Sequence, residues 1–188
     1  CLCISLQTTN YKTTNKMEQN LKALPRLTFS EAVKKGLKDI CKGNGRSRRS
    51  EFWWFMLAVW IVEYIVSFTT SSIPLVATLV SIVFLCAKYN ITRRRVMDSG
   101  HSPIWVLLCY VANLVVIVFT YCSGMMDAMN TINPNFSEMA KFASSPLLWI
   151  PSLVSLITGI ACFIFALQDS DPEENKYGVS PKYVSEEQ

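Results

Sequence analysis

Histidine is almost missing from these 188 residues, His101 being the single one. Without a second histidine, a paired Cys/His motif or a paired-carboxylate motif, neither a metal centre nor a Ser-His-Asp triad can be assembled. The phosphate-cradling G-x-x-x-x-G-K-[ST] loop, the dinucleotide-binding G-x-G-x-x-G, the G-x-S-x-G elbow and the zinc-binding H-E-x-x-H are all lacking. Nothing points to an enzyme, and no catalytic residue, metal or cofactor is expected. Seven cysteines are present but follow no disulfide or zinc spacing. Cys1 and Cys3 form a lone C-x-C, Cys41 and Cys122 stand apart, and Cys86, Cys109 and Cys162 lie in apolar runs, where Cys acts as a small hydrophobe. The first residues also lack the basic stretch and apolar run of a secretory signal. They are polar, and Met17 would be a natural start, so residues 1–27 are read as a disordered or over-extended leader.

Long apolar runs are what the chain has in abundance. They cover residues 52–69, 73–91, 103–121 and 146–167. A hydrocarbon core of ~30 Å needs about 20 helical residues at ~1.5 Å each, and all four runs come near that length. Of the 18 Lys and Arg, eleven precede the first run. Four lie in or beside the link between the second and third (Lys88, Arg93, Arg94, Arg95), and two follow the fourth. Lys141 alone falls on the opposite side. That asymmetry is the positive-inside pattern, so both termini are expected in the cytoplasm. The expected fold is all-α: an integral membrane bundle of four transmembrane helices within residues 28–181, preceded by a short interfacial helix and followed by a polar tail at 182–188. The net charge of +4 is no nucleic-acid signal here, because the basic residues hug the membrane boundary. There each gains about 1 kcal/mol from anionic lipid headgroups.

Thr28-Phe29-Ser30-Glu31 reads as a capping box, in which the Thr hydroxyl and the Glu carboxylate satisfy orphan backbone donors reciprocally. Behind it, Phe29, Ala32, Val33, Leu37, Ile40 and Cys41 recur at helical spacing, with Lys34, Lys35, Lys38 and Lys42 on the rest of the wheel. A basic amphipathic helix ahead of a span is expected to lie in the interface with its apolar face down. Lys42-Gly43-Asn44-Gly45 supplies the turn into the bilayer.

Three polar motifs flank the spans. Gly45-Arg46-Ser47-Arg48-Arg49-Ser50-Glu51-Phe52-Trp53 opens the first, and Arg93-Arg94-Arg95-Val96-Met97-Asp98-Ser99-Gly100-His101-Ser102 links the second and third. Glu174-Asn175-Lys176-Tyr177-Gly178-Val179-Ser180-Pro181 follows the fourth. In this order and spacing they resemble the bacterial inner-membrane family filed as domain of unknown function 805, over roughly residues 28–181. Its members carry G-R-x-S-R-x-E-[FY]-W, R-R-L-H-D-x-G-x-S and E-N-x-[FY]-G-x-x-P around four spans. Val96 and Met97 stand where the family has Leu and His, so no role of that histidine carries over. His101 occupies a family position that is often basic. The resemblance implies a multi-pass protein of the bacterial cytoplasmic membrane and supplies no reaction.

With an even number of spans between them, all three motifs fall at the same ends of the helices and can meet. Arg46, Arg48, Arg94, Arg95, Asp98, His101, Asn175 and Tyr177 are the candidate site. Two readings stand. Arg–carboxylate pairs would clamp helix ends together, or planar guanidinium groups would hold an anionic lipid headgroup, a small metabolite or an acidic protein segment.

A second polar layer lies inside the membrane. Counted from their starts, Glu63 and Asn113 share a depth near the midplane, about 15–17 Å in at 1.5 Å per residue. Ser81, Thr158 and Gly159 reach a similar level from the other side, and Ser155 with Gly159 forms a small-xxx-small pair that lets helices approach closely. A protonated Glu63 bonded to Asn113 would be an interhelical tie, whereas a titrating Glu63 would suit a small transporter or channel component. The loop at 123–145 is too short for a domain and is expected to carry a short helix around residues 136–142. The function expected is that of a non-enzymatic membrane protein with lipids and their anionic headgroups as partners. A protein partner or homo-oligomer is the further option, and no nucleic acid is expected.

Overall fold

A computed structural model describes residues 21–70, 72–125 and 136–185. They form β1 (Leu21–Ala23), α1 (Phe29–Lys38), α2 (Arg49–Thr70), α3 (Pro74–Asp98), α4 (Ile104–Cys122), α5 (Phe136–Ala143), α6 (Pro146–Leu167) and β2 (Tyr183–Ser185). Four of these helices, α2, α3, α4 and α6, are long and apolar enough to cross a membrane. The all-α bundle read from the sequence is the observed architecture.

Local chemistry sets the helix ends. Thr28 caps α1 with both halves of the capping box in place, its hydroxyl and backbone facing Glu31. Pro74 and Pro146 open α3 and α6 in the first turn, where a missing N–H costs nothing. The short helix expected near 136–142 is α5. The second span runs on to Asp98, seven residues past its apolar stretch, because Arg94, Arg95 and Asp98 find buried partners and the helix need not stop at the charge.

Most apolar side chains along the four long helices point outward, as a lipid-facing surface requires. The buried core sits at one end, here called the basic end. There Phe52, Phe55 and Met56 of α2 pack with Ile91 of α3 and Ala166 of α6. Beside them Val96, Val106 and Cys162 join α3, α4 and α6. Neighbours pack in the order α1 on α2, α2 on α3, α3 on α4 and α4 on α6, with α6 returning to α3. Helices α4 and α6 are the most closely joined, and Gly159 lets Cys109 Sγ come within 3.7 Å of where its Cβ would be. The small-residue pair thus does what its spacing predicted. Helices α2 and α6 meet near the basic end, where the rings of Trp53 and Phe163 lie 5.9 Å apart, and do not pack along their length.

One expectation changes. The segments read as leader and tail are joined: β1 pairs antiparallel with β2, Lys22 opposite Val184. Three-residue strands far apart in sequence carry no periodicity to read. The part of the leader at residues 1–20 lies outside the described residues. Helix α1 packs on α2 through its buried Ala32 and Gly36. A Cβ at Gly36 would fall 2.0 Å from Phe55 Cδ2, so only glycine lets α1 seat on α2.

Candidate functional site

Asp98, the last residue of α3, organises the basic end and has no exposed surface. Its Oδ1 accepts from Arg46 Nε at 2.9 Å, and its Oδ2 accepts from Ser170 Oγ at 2.5 Å and from Arg95 Nη1. The two guanidinium groups then reach backbone carbonyls. Arg46 donates to Glu173 O (2.8 Å), Gly178 O (3.1 Å), Asp98 O (3.2 Å) and Asp171 O. Arg95 donates to Ala166 O (3.2 Å), Ser47 O (3.3 Å) and Gln168 O. Five donors in a rigid fork suit this task, and a lysine could not satisfy so many acceptors at once. One carboxylate and two arginines thereby hold the start of α2, the end of α3 and the segment after α6.

A second nest lies beside the first. Glu51, fully buried on α2, receives Lys35 Nζ at 2.6 Å and Arg94 Nη1 at 3.4 Å. Arg94 also reaches Asp39 Oδ2 at 3.4 Å, and Asp39 meets Lys42 at 2.6 Å. The Lys42 ammonium, helped by Arg94 and Lys35, holds the Asp39 carboxyl below its ordinary value against the opposing effect of burial. This nest locks α1 to α2 and α3.

The tail motif forms a tight turn. Asn175 N and Gly178 N donate to each other's carbonyls, and Gly178 has φ +119°, a conformation glycine adopts freely. Asn175 Nδ2 donates to Met97 O at 3.1 Å, while its Oδ1 accepts from Tyr177 N at 2.9 Å. Further out, burial pushes the Asp169 carboxyl up, but Lys182, the Ser170 N–H and Arg49 outweigh it and hold that group below its ordinary range.

Of the eight predicted residues, Arg46, Arg95 and Asp98 meet in one cluster and Asn175 braces its wall. Arg94 belongs to the neighbouring nest. Arg48 instead donates to Pro25 O at 2.9 Å, His101 stacks on Phe165 with centroids 3.8 Å apart, and the Tyr177 ring lies under Lys176. Arg46, Arg94 and Arg95 are 7%, 4% and 0% exposed. The donors of Arg46 and Arg95 face protein carboxylates and carbonyls, and Arg94 Nη1 faces Asp39 and Glu51, which is the geometry of a clamp rather than of an open anion site. Ser170, Asp39 and Lys35 were not singled out from the sequence as members of these nests. Each lies beyond a motif's edge, and only the packing of α1 and the tail brings it in.

Inside the bundle the expected tie between Glu63 and Asn113 is not formed. Lys88 Nζ donates to both Glu63 oxygens, at 2.9 and 2.8 Å. Asn113 Nδ2 donates instead to Cys109 O at 2.8 Å and Ser155 Oγ at 2.6 Å. Lys88 is therefore a partner within the bundle and not part of the charged link. Helical side chains slant toward their own N-terminus, so in the antiparallel pair α2 and α3 Glu63 leans toward the basic end and Lys88 away from it. They converge although their backbones differ in depth.

Among the described residues no group of three or more His, Cys, Asp or Glu could hold a metal ion. Comparison with curated proteins and with solved structures found no match. A family model described as protein of unknown function (DUF805) matches residues 40–179, which takes in the Arg46–Asp98–Arg95 cluster, Glu51 and Arg94 of the second nest, all four long helices and the turn at Asn175. The chain is a membrane protein that belongs to that family.

Proposed function

We propose that this chain is a non-enzymatic protein of the bacterial cytoplasmic membrane that holds anionic lipid headgroups along α1, both termini lying in the cytoplasm. The nest of Glu51, Lys35, Arg94 and Asp39 is the frame on which that surface is mounted. One observation carries the reading. Lys34 and Lys38 are exposed and form no salt bridge among the described residues, and they lie on the helix face next to Leu37, 58% exposed, with Phe29, 47% exposed, beyond it. An apolar stripe bordered by free ammonium groups on a docked helix suits the boundary between acyl chains and phosphates. An acidic protein segment or a second copy of the chain is the competing occupant. Transport through Glu63 has less support, since its carboxylate already carries a lysine as counter-ion.

Lipid retention by the detergent-extracted protein tests the proposal. Wild type should retain phosphatidylglycerol over phosphatidylethanolamine in native mass spectrometry and gain thermal stability when it is added. Lys34→Gln/Lys38→Gln should lose both effects while melting unchanged in lipid-free detergent. Equal retention of the two lipids by wild type would overturn the headgroup role, and a co-purifying acidic protein in its place would favour the partner. For orientation, a reporter active only outside the cytoplasm should give signal fused at Asn130 and none at Gly100 or Gln188.

A further inference from the structure

The bundle holds a cavity of about 310 Å³ that the headgroup surface does not use, walled by α2, α3, α4 and α6. It lies where α2 and α6 draw apart, so its open side faces the acyl chains of the bilayer. Its size is at the lower end of the ~300–1,000 Å³ usual for small-molecule sites, enough for one ring with the start of a single tail and too small for a two-chain phospholipid. Aromatic side chains make much of the wall, among them Trp53, Trp60, Tyr110 and Phe163. Such π faces suit a flat ring.

Lys88 and Asn113 line the same cavity, and each has an unused polar atom. Lys88 Nζ has three protons and gives two to Glu63, which leaves one donor. Asn113 spends its N–H groups on Cys109 and Ser155, and among the described residues no hydrogen bond reaches its Oδ1. Tyr110 is already committed: the Thr92 hydroxyl donates to Lys88 O, so the phenol donates to Thr92. At this depth no lipid can answer a free donor and a free acceptor, and a hydroxyl is the smallest group that answers both. Because Glu63 neutralises Lys88, an ionised occupant gains nothing.

From this we infer that the cavity is a binding site for a neutral, single-tailed lipophile with a hydroxylated aromatic head, of the phenol or hydroquinone class. It enters from the bilayer between α2 and α6. Its hydroxyl accepts from Lys88 and donates to Asn113 Oδ1, its ring lies among the aromatic walls, and its tail leaves through the seam.

A brominated 4-decylphenol, whose heavy atom quenches nearby tryptophan, tests this with the whole chain in lipid nanodiscs. Quenching should saturate at one probe per chain. The double variant Lys88→Met/Glu63→Met removes the donor without stranding a charge, and should bind at least tenfold more weakly. Leu85→Phe, which narrows the cavity and leaves the charge pair intact, should do the same. Unlabelled 4-decylphenol should displace the probe at least tenfold better than decylbenzene, which lacks the hydroxyl, or decanol, which lacks the ring. Quenching that rises linearly with bilayer loading and is alike in all three proteins would overturn the site. Displacement by decanol equal to that by 4-decylphenol would overturn the aromatic head.

Discussion

Asp98 and Glu63 are both carboxylates that meet a cation carried by α3, and they live in opposite surroundings. Asp98 has no exposed surface and three side-chain donors, Arg46, Arg95 and Ser170, drawn from three segments of the chain. Glu63 is 24% exposed, with Lys88 as its one salt-bridge partner among the described residues. Desolvating a charge is repaid only when the geometry is good and the remaining lone pairs are met. The first site meets that demand through redundancy and becomes rigid. The second meets it with a single pair and leaves a donor over. Charge at the basic end holds the fold, and charge inside the bundle leaves room to bind.

The sharpest way to break this contrast is Asp98→Ala. It strands Arg46 and Arg95 in a buried site without a counter-charge, and should cost about 3–5 kcal/mol. Thermal unfolding in detergent reads it, and a wild-type melting point would mean that the cluster carries no stability. Next comes Glu63→Gln, which leaves the Lys88 ammonium without its counter-ion in the span and should cost about 2–3 kcal/mol. The double replacement Glu63→Leu/Lys88→Leu should be near neutral or stabilising, as replacing a whole buried pair often is. If the double variant is worse than the single, Lys88 has a partner besides Glu63.

Gly36→Ala should follow, at about 1–3 kcal/mol for overpacking against the Phe55 ring. Faster amide hydrogen exchange in α1 would show the helix lifting from α2, and Phe55→Leu in the same chain should restore its protection. The smallest effect is acid sensitivity. Asp39 and Asp169 have folded pKa values below their free ones, so the stability they add is in place above about pH 4 and is lost as pH falls through the folded values. Melting points should be flat from pH 6 to 8 and fall below about pH 4. Asp39→Asn/Asp169→Asn should flatten that fall.

How far these sites could be read from the sequence depends on what each requires. The four long helices follow from length and hydropathy, both properties of a single segment. The capping box at Thr28 and Glu31 is equally local, and so is the helix that became α5. Arg46, Arg95 and Asp98 could be placed at one end by counting spans, but which arginine meets which carboxylate depends on helix rotation, and a linear motif does not carry it. The Glu63–Lys88 pair escaped for a related reason. Depth counted along the backbone set Glu63 beside Asn113, and the slant of side chains in antiparallel helices carried it to Lys88. The ribbon of β1 and β2 was illegible, since three residues are too few to show a period.

That ribbon decides how the molecule answers to force. Leu21 lies opposite Ser185, so the two outer ends of the ladder point the same way. A pull on both termini loads its hydrogen bonds one after another, as a zipper is opened, rather than all together in shear. Beyond it the load passes to Lys182 on Asp169 and then to the carbonyls that Arg46 grips at Glu173 and Asp171. In a single-molecule experiment tethered at both ends, a weak early rupture should come first. A stronger event should follow when the arginine grip gives way, with the helices extracted only after that.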